Sequence, residues 1–364
     1  MDITFNNTIF SIPEWLVIGM GVITAFSITY VSIPTIITVA HKLGLYERSN
    51  DRDSHDGNVP TLGGVAIFAG IVVAGAIFAN QTIVREFQYI LGALVILFFI
   101  GIKDDLLIMD PRKKLIAQIL ASLLVVILGD VRITNFHGFA NIHEVSYIFS
   151  VVFTVFVFIV IINGFNLIDG IDGLASGITI VTALTFGIWF ITVGRASFSI
   201  VPLGLAASVL AFFRYNVFSK KNRIFLGDTG SLSIGLIMAV IAIRFLEYHD
   251  PHTGEHTMLS APAVAVGILI VPLFDTLRVF TIRIFGGDSP FTGDRRHIHH
   301  RLLELGFSHL RATLLIVSIN IGFILMSFLF RDLGNLKLLI MLFVLAAVLS
   351  YIPVLLVNRK LKKV

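Results

Sequence analysis

The chain contains no cysteine. Disulfides and thiolate metal sites are therefore excluded, and redox chemistry says nothing about compartment. The chain is also poor in charge. Asp, Glu, Lys and Arg make up 14% of its 364 residues, against about 25% in an ordinary soluble domain. Hydrophobic residues make up 56% and mean hydropathy is +0.92, so a soluble or disordered chain is excluded. No basic region precedes the first apolar run, which continues to about Ala40. It reads as a retained first span, not a cleaved signal. No internal repeat is visible, which weighs against a transporter built from inverted halves. Nothing here points to nucleic acid; the expected environment is a lipid bilayer.

What the chain does have is apolar runs of helix-spanning length, roughly 17–25 residues. The expected fold is all-α: a polytopic transmembrane helix bundle of about eleven spans, one domain over residues 1–364. The runs lie near 13–40, 63–79, 89–102, 115–128, 147–162, 174–193, 200–213, 232–246, 259–282, 312–330 and 337–357. Loops after the odd-numbered runs, with the C-terminal tail, hold 21 Lys and Arg, and the other side holds 6. Basic loops stay in the cytoplasm. The N-terminus is thus expected outside and the C-terminus inside.

Five polar clusters interrupt this pattern, all on the expected cytoplasmic side. The central one, Asn163 to Ala175, carries Asn163, Asn166, Asp169 and Asp172 between apolar runs. An intramembrane carboxylate is costly and marks a functional site by default. Three apart, Asp169 and Asp172 would share one face of a helix, and Gly170 and Gly173 admit a ligand close to the backbone. A polar loop with glycines for its turn is the competing reading.

The first loop holds Lys42, Arg48, Arg52, His55 and Pro60, then Gly63-Gly64. Such a backbone can bend around a cavity or be an ordinary basic loop. The second holds Lys103-Asp104-Asp105, then Arg112, Lys113, Lys114 and Gln118. Adjacent carboxylates repel, so they bind a metal or share a proton, and the basic residues suit a phosphate. Solvated aspartates beside snorkelling lysines would read the same. The fourth cluster, Arg223 to Leu232, sets Asp228 between Gly227 and Gly230 beside Thr229 and Ser231. Free N–H groups opening a helix can cradle a phosphate, and Asp228 can hold a Mg²⁺ that bridges phosphates. An N-cap fits equally well.

The fifth cluster, Asp288 to Gly306, places His297, His299 and His300 beside Arg295, Arg296 and Arg301. On a helix His297 and His300 share a face, and Ile298, Leu302 and Leu305 form an apolar stripe, as in a segment at the membrane interface. The lack of cysteine and the crowd of cations oppose zinc; His and Arg suit phosphate. A basic helix touching anionic lipid is the alternative.

Taken in order, Asp104-Asp105, Asn163-x-x-Asn166-x-x-Asp169-Gly-x-Asp172-Gly, Phe225-Leu-Gly-Asp228-x-Gly-Ser and His297-x-His299-His300 resemble the polyprenyl-phosphate N-acetylhexosamine-1-phosphate transferases. The resemblance runs from Lys42 to about Phe307. One bacterial branch uses UDP-N-acetylglucosamine (UDP-GlcNAc). The other uses UDP-N-acetylmuramoyl-pentapeptide, and typically carries three consecutive histidines and a Lys-x-Gly-Thr-Pro segment. This chain has His-Ile-His-His and Asp56-Gly-Asn-Val-Pro60 instead, so it is similar to the N-acetylglucosamine branch.

The resemblance implies a bacterial plasma-membrane enzyme with a cytoplasmic active site. It would transfer GlcNAc-1-phosphate from UDP-GlcNAc to undecaprenyl phosphate, the first membrane step of an envelope glycan such as teichoic acid or O-antigen. It implies Asp228 as ligand of Mg²⁺, with Mn²⁺ as the alternative ion. Asp104 and Asp105 go to the attacking phosphate. Asp172 and Phe225 go to uracil, Asn163, Asn166 and Asp169 to the nucleotide pocket, and His297, His299 and His300 to the diphosphate or sugar. Lys114, Arg295 and Arg296 are the expected phosphate-binding cations, and a homodimer is the implied assembly. The segment between Asn216 and Phe225 is longer than the pattern, so no role is carried to Asn216. On residues alone, another UDP-N-acetylhexosamine or UDP-MurNAc-pentapeptide as donor, a membrane prenyltransferase or a secondary transporter remain as alternatives.

Overall fold

The computed structural model describes residues 2–5, 8–46, 59–78, 81–107, 109–139, 142–249, 258, 260–287 and 296–361. After a short antiparallel hairpin, β1 (Asp2–Phe5) with β2 (Thr8–Ser11), the described chain is almost entirely helical. The helices are α1 (Glu14–Leu43), α2 (Gly63–Phe78), α3 (Gln81–Leu106), α4 (Pro111–Leu123), α5 (Tyr147–Leu167), α6 (Leu174–Thr192), α7 (Ile200–Phe218), α8 (Gly227–Glu247), α9 (Ala261–Ile268), α10 (Ile270–Gly286), α11 (Ile298–Glu304), α12 (His309–Leu329) and α13 (Asn335–Leu361).

Each expected apolar run is helical over most of its described residues. Among the described residues seven helices are long and apolar enough to cross a membrane by themselves. The shorter α2 has 16 residues. The ninth run, 259–282, does not form one continuous helix: it is divided into α9 and α10, bent by 81°. The cause is local. Pro272 has no N–H, and in a continuous helix its ring would clash with the carbonyl four residues back, that of Ile268. The helix breaks between them at Leu269, and the Asn320 amide donates to the Ile268 carbonyl at 3.3 Å. Broken helices persist at membrane depth when freed backbone groups find such partners.

Helix α8 is the hub. Its spanning window is 94% buried, against 33% for the window of α1 and 28% for that of α13. It packs on α3, α5 and α2, and an apolar helix buried on every side belongs inside a bundle. Glycines let its N-terminal turn be approached on several sides. A Cβ at Gly64 would come within 2.0 Å of the Gly230 nitrogen, and one at Gly101 within 2.4 Å of the Thr229 Cα. Further along, a Cβ at Gly235 would meet the Ile162 Cα of α5 at 2.6 Å. Small residues at such crossings are how helices approach closely in a membrane. The segment before α8 is held by backbone pairing: Phe225 N to the Pro60 carbonyl at 2.8 Å, and Gly63 N and Gly64 N to the Phe225 and Leu226 carbonyls at 2.9 Å. The first loop thus serves to fix the Phe225-Leu226-Gly227 turn.

Candidate active site

Four helix ends meet beside that turn: the last residues of α3 and α5 and the first of α4 and α8. Lys114 of α4 sits between two carboxylates, 3.1 Å from Asp104 and 2.8 Å from Asp228. Its ammonium also lies 3.4 Å from the Asn166 side-chain oxygen. The Asn166 amide donates to Asp228, and to the Ser231 hydroxyl at 2.8 Å. Two carboxylates and an amide oxygen thus surround one ammonium. Asn163 is one turn back on α5 and forms a two-way amide pair with Gln118 of α4, at 2.8 and 3.3 Å. It braces α4, which carries Lys114.

Asp105 does something the sequence did not show. Its carboxylate accepts Asp228 N at 2.6 Å, Thr229 N at 3.1 Å and the Thr229 hydroxyl at 2.6 Å. It therefore caps α8 from another helix, satisfying N–H groups that a helix start leaves open. Asp105 thus takes two of the N–H groups expected to cradle a phosphate at this turn. The neighbouring Asp104 faces Lys114 instead, so the two aspartates are divided between different tasks.

Asp169 and Asp172 do not share a helix face. Both lie in the turn between α5 and α6, because α5 ends at Leu167 and α6 starts only at Leu174. Gly173 adopts φ 78° there, and its N–H donates to Asn216 at 2.7 Å. The Asn216 amide in turn donates to the Ile224 carbonyl at 2.9 Å, so Asn216 ties the aspartate turn to the segment ahead of Phe225. Asp172 accepts from Arg223, and from His309 Nδ1 at 2.8 Å. The Arg223 guanidinium also lies over the Phe225 ring, 5.3 Å from its centroid.

The histidines form a third group. His297 precedes α11 as its cap residue, so it does not share a helical face with His300. His297 Nδ1 donates to Asp275 of α10 at 2.8 Å, and Ile298 N donates to the same carboxylate at 3.2 Å. Arg278 binds Asp275 at 3.1 Å and also donates to the Arg296 carbonyl. His299 is buried at 2% exposure. Burial and the neighbouring His300 push its pKa down to about 3, so the ring is neutral at physiological pH. Its Nε2 finds no hydrogen-bond partner among the described residues and lies against Gly170, where a Cβ would come within 2.2 Å. Gly170 is what lets the aspartate turn rest on this ring. His299 also closes one end of an apolar cavity lined by Leu174, Phe274, Leu302, Ile316 and Phe323. Arg295 lies outside the described residues.

Comparison with known proteins decides the family. Residues 87–246 match glycosyl transferase family 4. The undecaprenyl-phosphate alpha-N-acetylglucosaminyl 1-phosphate transferase of Yersinia pestis is 30% identical over 281 residues, 76% of this chain and 74% of that protein. The decaprenyl-phosphate N-acetylglucosaminephosphotransferase of Mycolicibacterium smegmatis is 31% identical over 360 residues, 92% and 87% of the two chains. The chain belongs to the polyprenyl-phosphate N-acetylhexosamine-1-phosphate transferases.

As a member of this family it is a transferase, and the prenyltransferase and transporter readings fall away. Three polar residues of the site were missed in the sequence: Asp275, His309 and the pairing partner Arg223. Asp275 stands alone in an apolar run, and the expense of a lone intramembrane carboxylate was a usable signal. Nothing in the local pattern distinguishes His309.

Proposed function

We propose that this protein transfers GlcNAc-1-phosphate from UDP-GlcNAc to a polyprenyl phosphate, undecaprenyl phosphate by the names of several relatives. An oxygen of the lipid phosphate attacks the sugar-bearing phosphorus, the bond to the second phosphate breaks, and UMP leaves with the electron pair. The products are polyprenyl-diphospho-GlcNAc and UMP. The observation that carries this reading is the convergence of Asp104, Lys114, Asn166 and Asp228 at the meeting of four helix ends. Phosphoryl transfer asks for positioning and charge neutralisation above all.

The donor set suits Mg²⁺. Its oxygens are hard, and Mg²⁺ is commonly held by one or two carboxylates together with substrate phosphates. Asp228 would hold the ion, with Asp104 as the neighbouring carboxylate; once bound, it would neutralise charge on the diphosphate. Lys114 brings a mobile cation to a phosphate oxygen. Asp105 keeps Asp228 in place through its three hydrogen bonds to the start of α8. His297, oriented by Asp275, and the cations Arg295 and Arg296 serve the diphosphate or sugar end. The membrane is the bacterial plasma membrane, and the site faces the cytoplasm.

UMP release from purified protein, supplied with polyprenyl phosphate and Mg²⁺, tests the reaction. UDP-GlcNAc is expected to be the preferred donor over UDP-GalNAc and UDP-MurNAc-pentapeptide, and turnover that favours either rival overturns the sugar assignment. Because the chain has no cysteine, single cysteines probe its orientation cleanly. Lys220→Cys should label only from the cytoplasm and Lys337→Cys only from outside. Labelling of both from one side would break the topology.

A further inference from the structure

Asp172 is held from four directions. Its turn is pinned through Gly173 N to Asn216 at 2.7 Å, and its own carbonyl accepts the Thr313 hydroxyl of α12 at 2.8 Å. Its side chain, 13% exposed, receives Arg223 and His309 on the same oxygen, Oδ2. Oδ1 has no protein donor among the described residues. The carboxylate is therefore clamped on one oxygen and open on the other. Arg223 spans from this clamp to the face of Phe225, so one guanidinium sets the carboxylate and the ring relative to each other. His309 comes from the start of α12, beyond the stretch 87–246 that matches the family.

The family resemblance assigns Asp172 and Phe225 to the uracil of a UDP-sugar, and an open, oriented carboxylate oxygen suits a base that presents an N–H. Uracil carries a hydrogen on N3, which a carboxylate can accept. Cytosine has a lone pair there and would meet the carboxylate with repulsion. A site built to hydrogen-bond one group rejects an analogue that lacks it far more strongly than a merely apolar pocket does.

We infer that Arg223 and His309 are positioning residues that aim Asp172 Oδ1 at the imide N–H of a uracil base, and so set uridine over cytidine nucleotides. This rests on the proposed use of a UDP-sugar. Removing either donor frees the carboxylate to turn, so the loss should appear in nucleotide recognition.

The test uses the full-length protein with UDP-GlcNAc, polyprenyl phosphate and Mg²⁺, and compares inhibition by UMP and by CMP. The wild type should favour UMP. His309→Ala and Arg223→Ala should each raise KM for UDP-GlcNAc about tenfold and shrink the UMP-to-CMP preference by a similar factor, as for one lost hydrogen bond to a charged group. His309→Asn keeps an N–H near the Nδ1 position and should recover most of the preference. Arg223→Lys keeps the charge without the planar fork and should recover part of it. These milder variants also carry the test should an alanine variant fail to fold. If the preference stays at its wild-type value while KM or kcat changes, the two residues are only structural and the inference is overturned. A wild-type protein that does not prefer UMP removes the nucleobase reading of Asp172 itself, and the inference with it.

Discussion

Helices α3 and α8 touch at both ends, and the two contacts are built differently. At one end Glu86 of α3 binds Arg244 of α8 at 2.9 Å. About 25 Å away, by the helical rise, Asp105 of α3 caps the start of α8 while Asp104 and Asp228 share Lys114. At the Glu86 end the charges are matched. Arg244 takes Glu86, Arg132 takes Asp130 at 2.6 Å, and Glu247 accepts both Thr134 N and the Thr134 hydroxyl at 3.0 and 2.9 Å. At the Asp105 end, two carboxylates share one lysine and a third, Asp105, lies beside them on the start of α8. Burying such an excess of negative charge works against folding unless more cations arrive. The difference separates a contact that closes a structure from one that waits for a ligand.

Single substitutions at the two ends can break that distinction. Asp228→Asn should cut UMP release by roughly a thousandfold, as expected when the main anchor of a catalytic metal is lost, while the protein still purifies folded. Asp104→Asn should lower kcat about a hundredfold and leave UDP-GlcNAc binding measurable by calorimetry. Glu86→Gln should leave turnover near wild type. A catalytic loss from Glu86→Gln comparable to that from Asp228→Asn would erase the distinction.

Asp105→Asn lies between these extremes. An asparagine cannot accept all three donors, so it should cost about 1–3 kcal/mol of stability and also weaken the response to Mg²⁺, through displacement of Asp228. A lowered melting temperature with an unchanged Mg²⁺ requirement would reduce Asp105 to a pure cap. Glu86→Gln should cost about 1–2 kcal/mol, because both partners keep some exposure; thermal unfolding in detergent reads this directly.

The smallest expected effect concerns a buried histidine at each end. His249 follows α8 and stacks on Trp189 at 4.5 Å, and its pKa is pushed down from 6.5 to about 4, chiefly by burial. His299 goes down to about 3. In both cases the unfolded chain binds more protons between pH 6.5 and the folded value. Stability is therefore complete above about pH 6.5 and declines as pH falls toward 4. His249→Gln should flatten part of that decline in melting temperature and leave UMP release intact. A slope unchanged from wild type would show that His249 does not contribute.

The helices were legible because apolar length is a local property, and the runs from 13–40 to 337–357 are helical over most of their described residues. The elbow in the ninth was encoded by Pro272 but concealed by the unbroken apolar composition around it. Asp104, Asn166, Asp228 and Lys114 were each legible as site candidates, but not as one group, since Asn166 was expected in the nucleotide pocket and Asp104 at the attacking phosphate. The split between Asp104 and Asp105 was not, since it depends on Thr229, 124 positions away. The same holds for His309, whose partner Asp172 lies 137 positions upstream. Roles created by tertiary contact leave no spacing to read.

The glycines around the start of α8 bear on how the site can change. Peptide backbones meet there with no side chains between them, at separations that leave no room for a Cβ at 64 or 101. The carboxylate spacing is thereby inherited from peptide planes, which are stiff, and not from rotamers, which are soft. Adaptation to a different sugar or lipid has little purchase on that frame. What compliance the site has belongs to the long side chains laid across it, Lys114 and Arg223, which are held by ion pairs and not by the backbone. In mechanical terms the protein resembles a vice with fixed jaws and two adjustable screws, and altered selectivity should be sought at the screws.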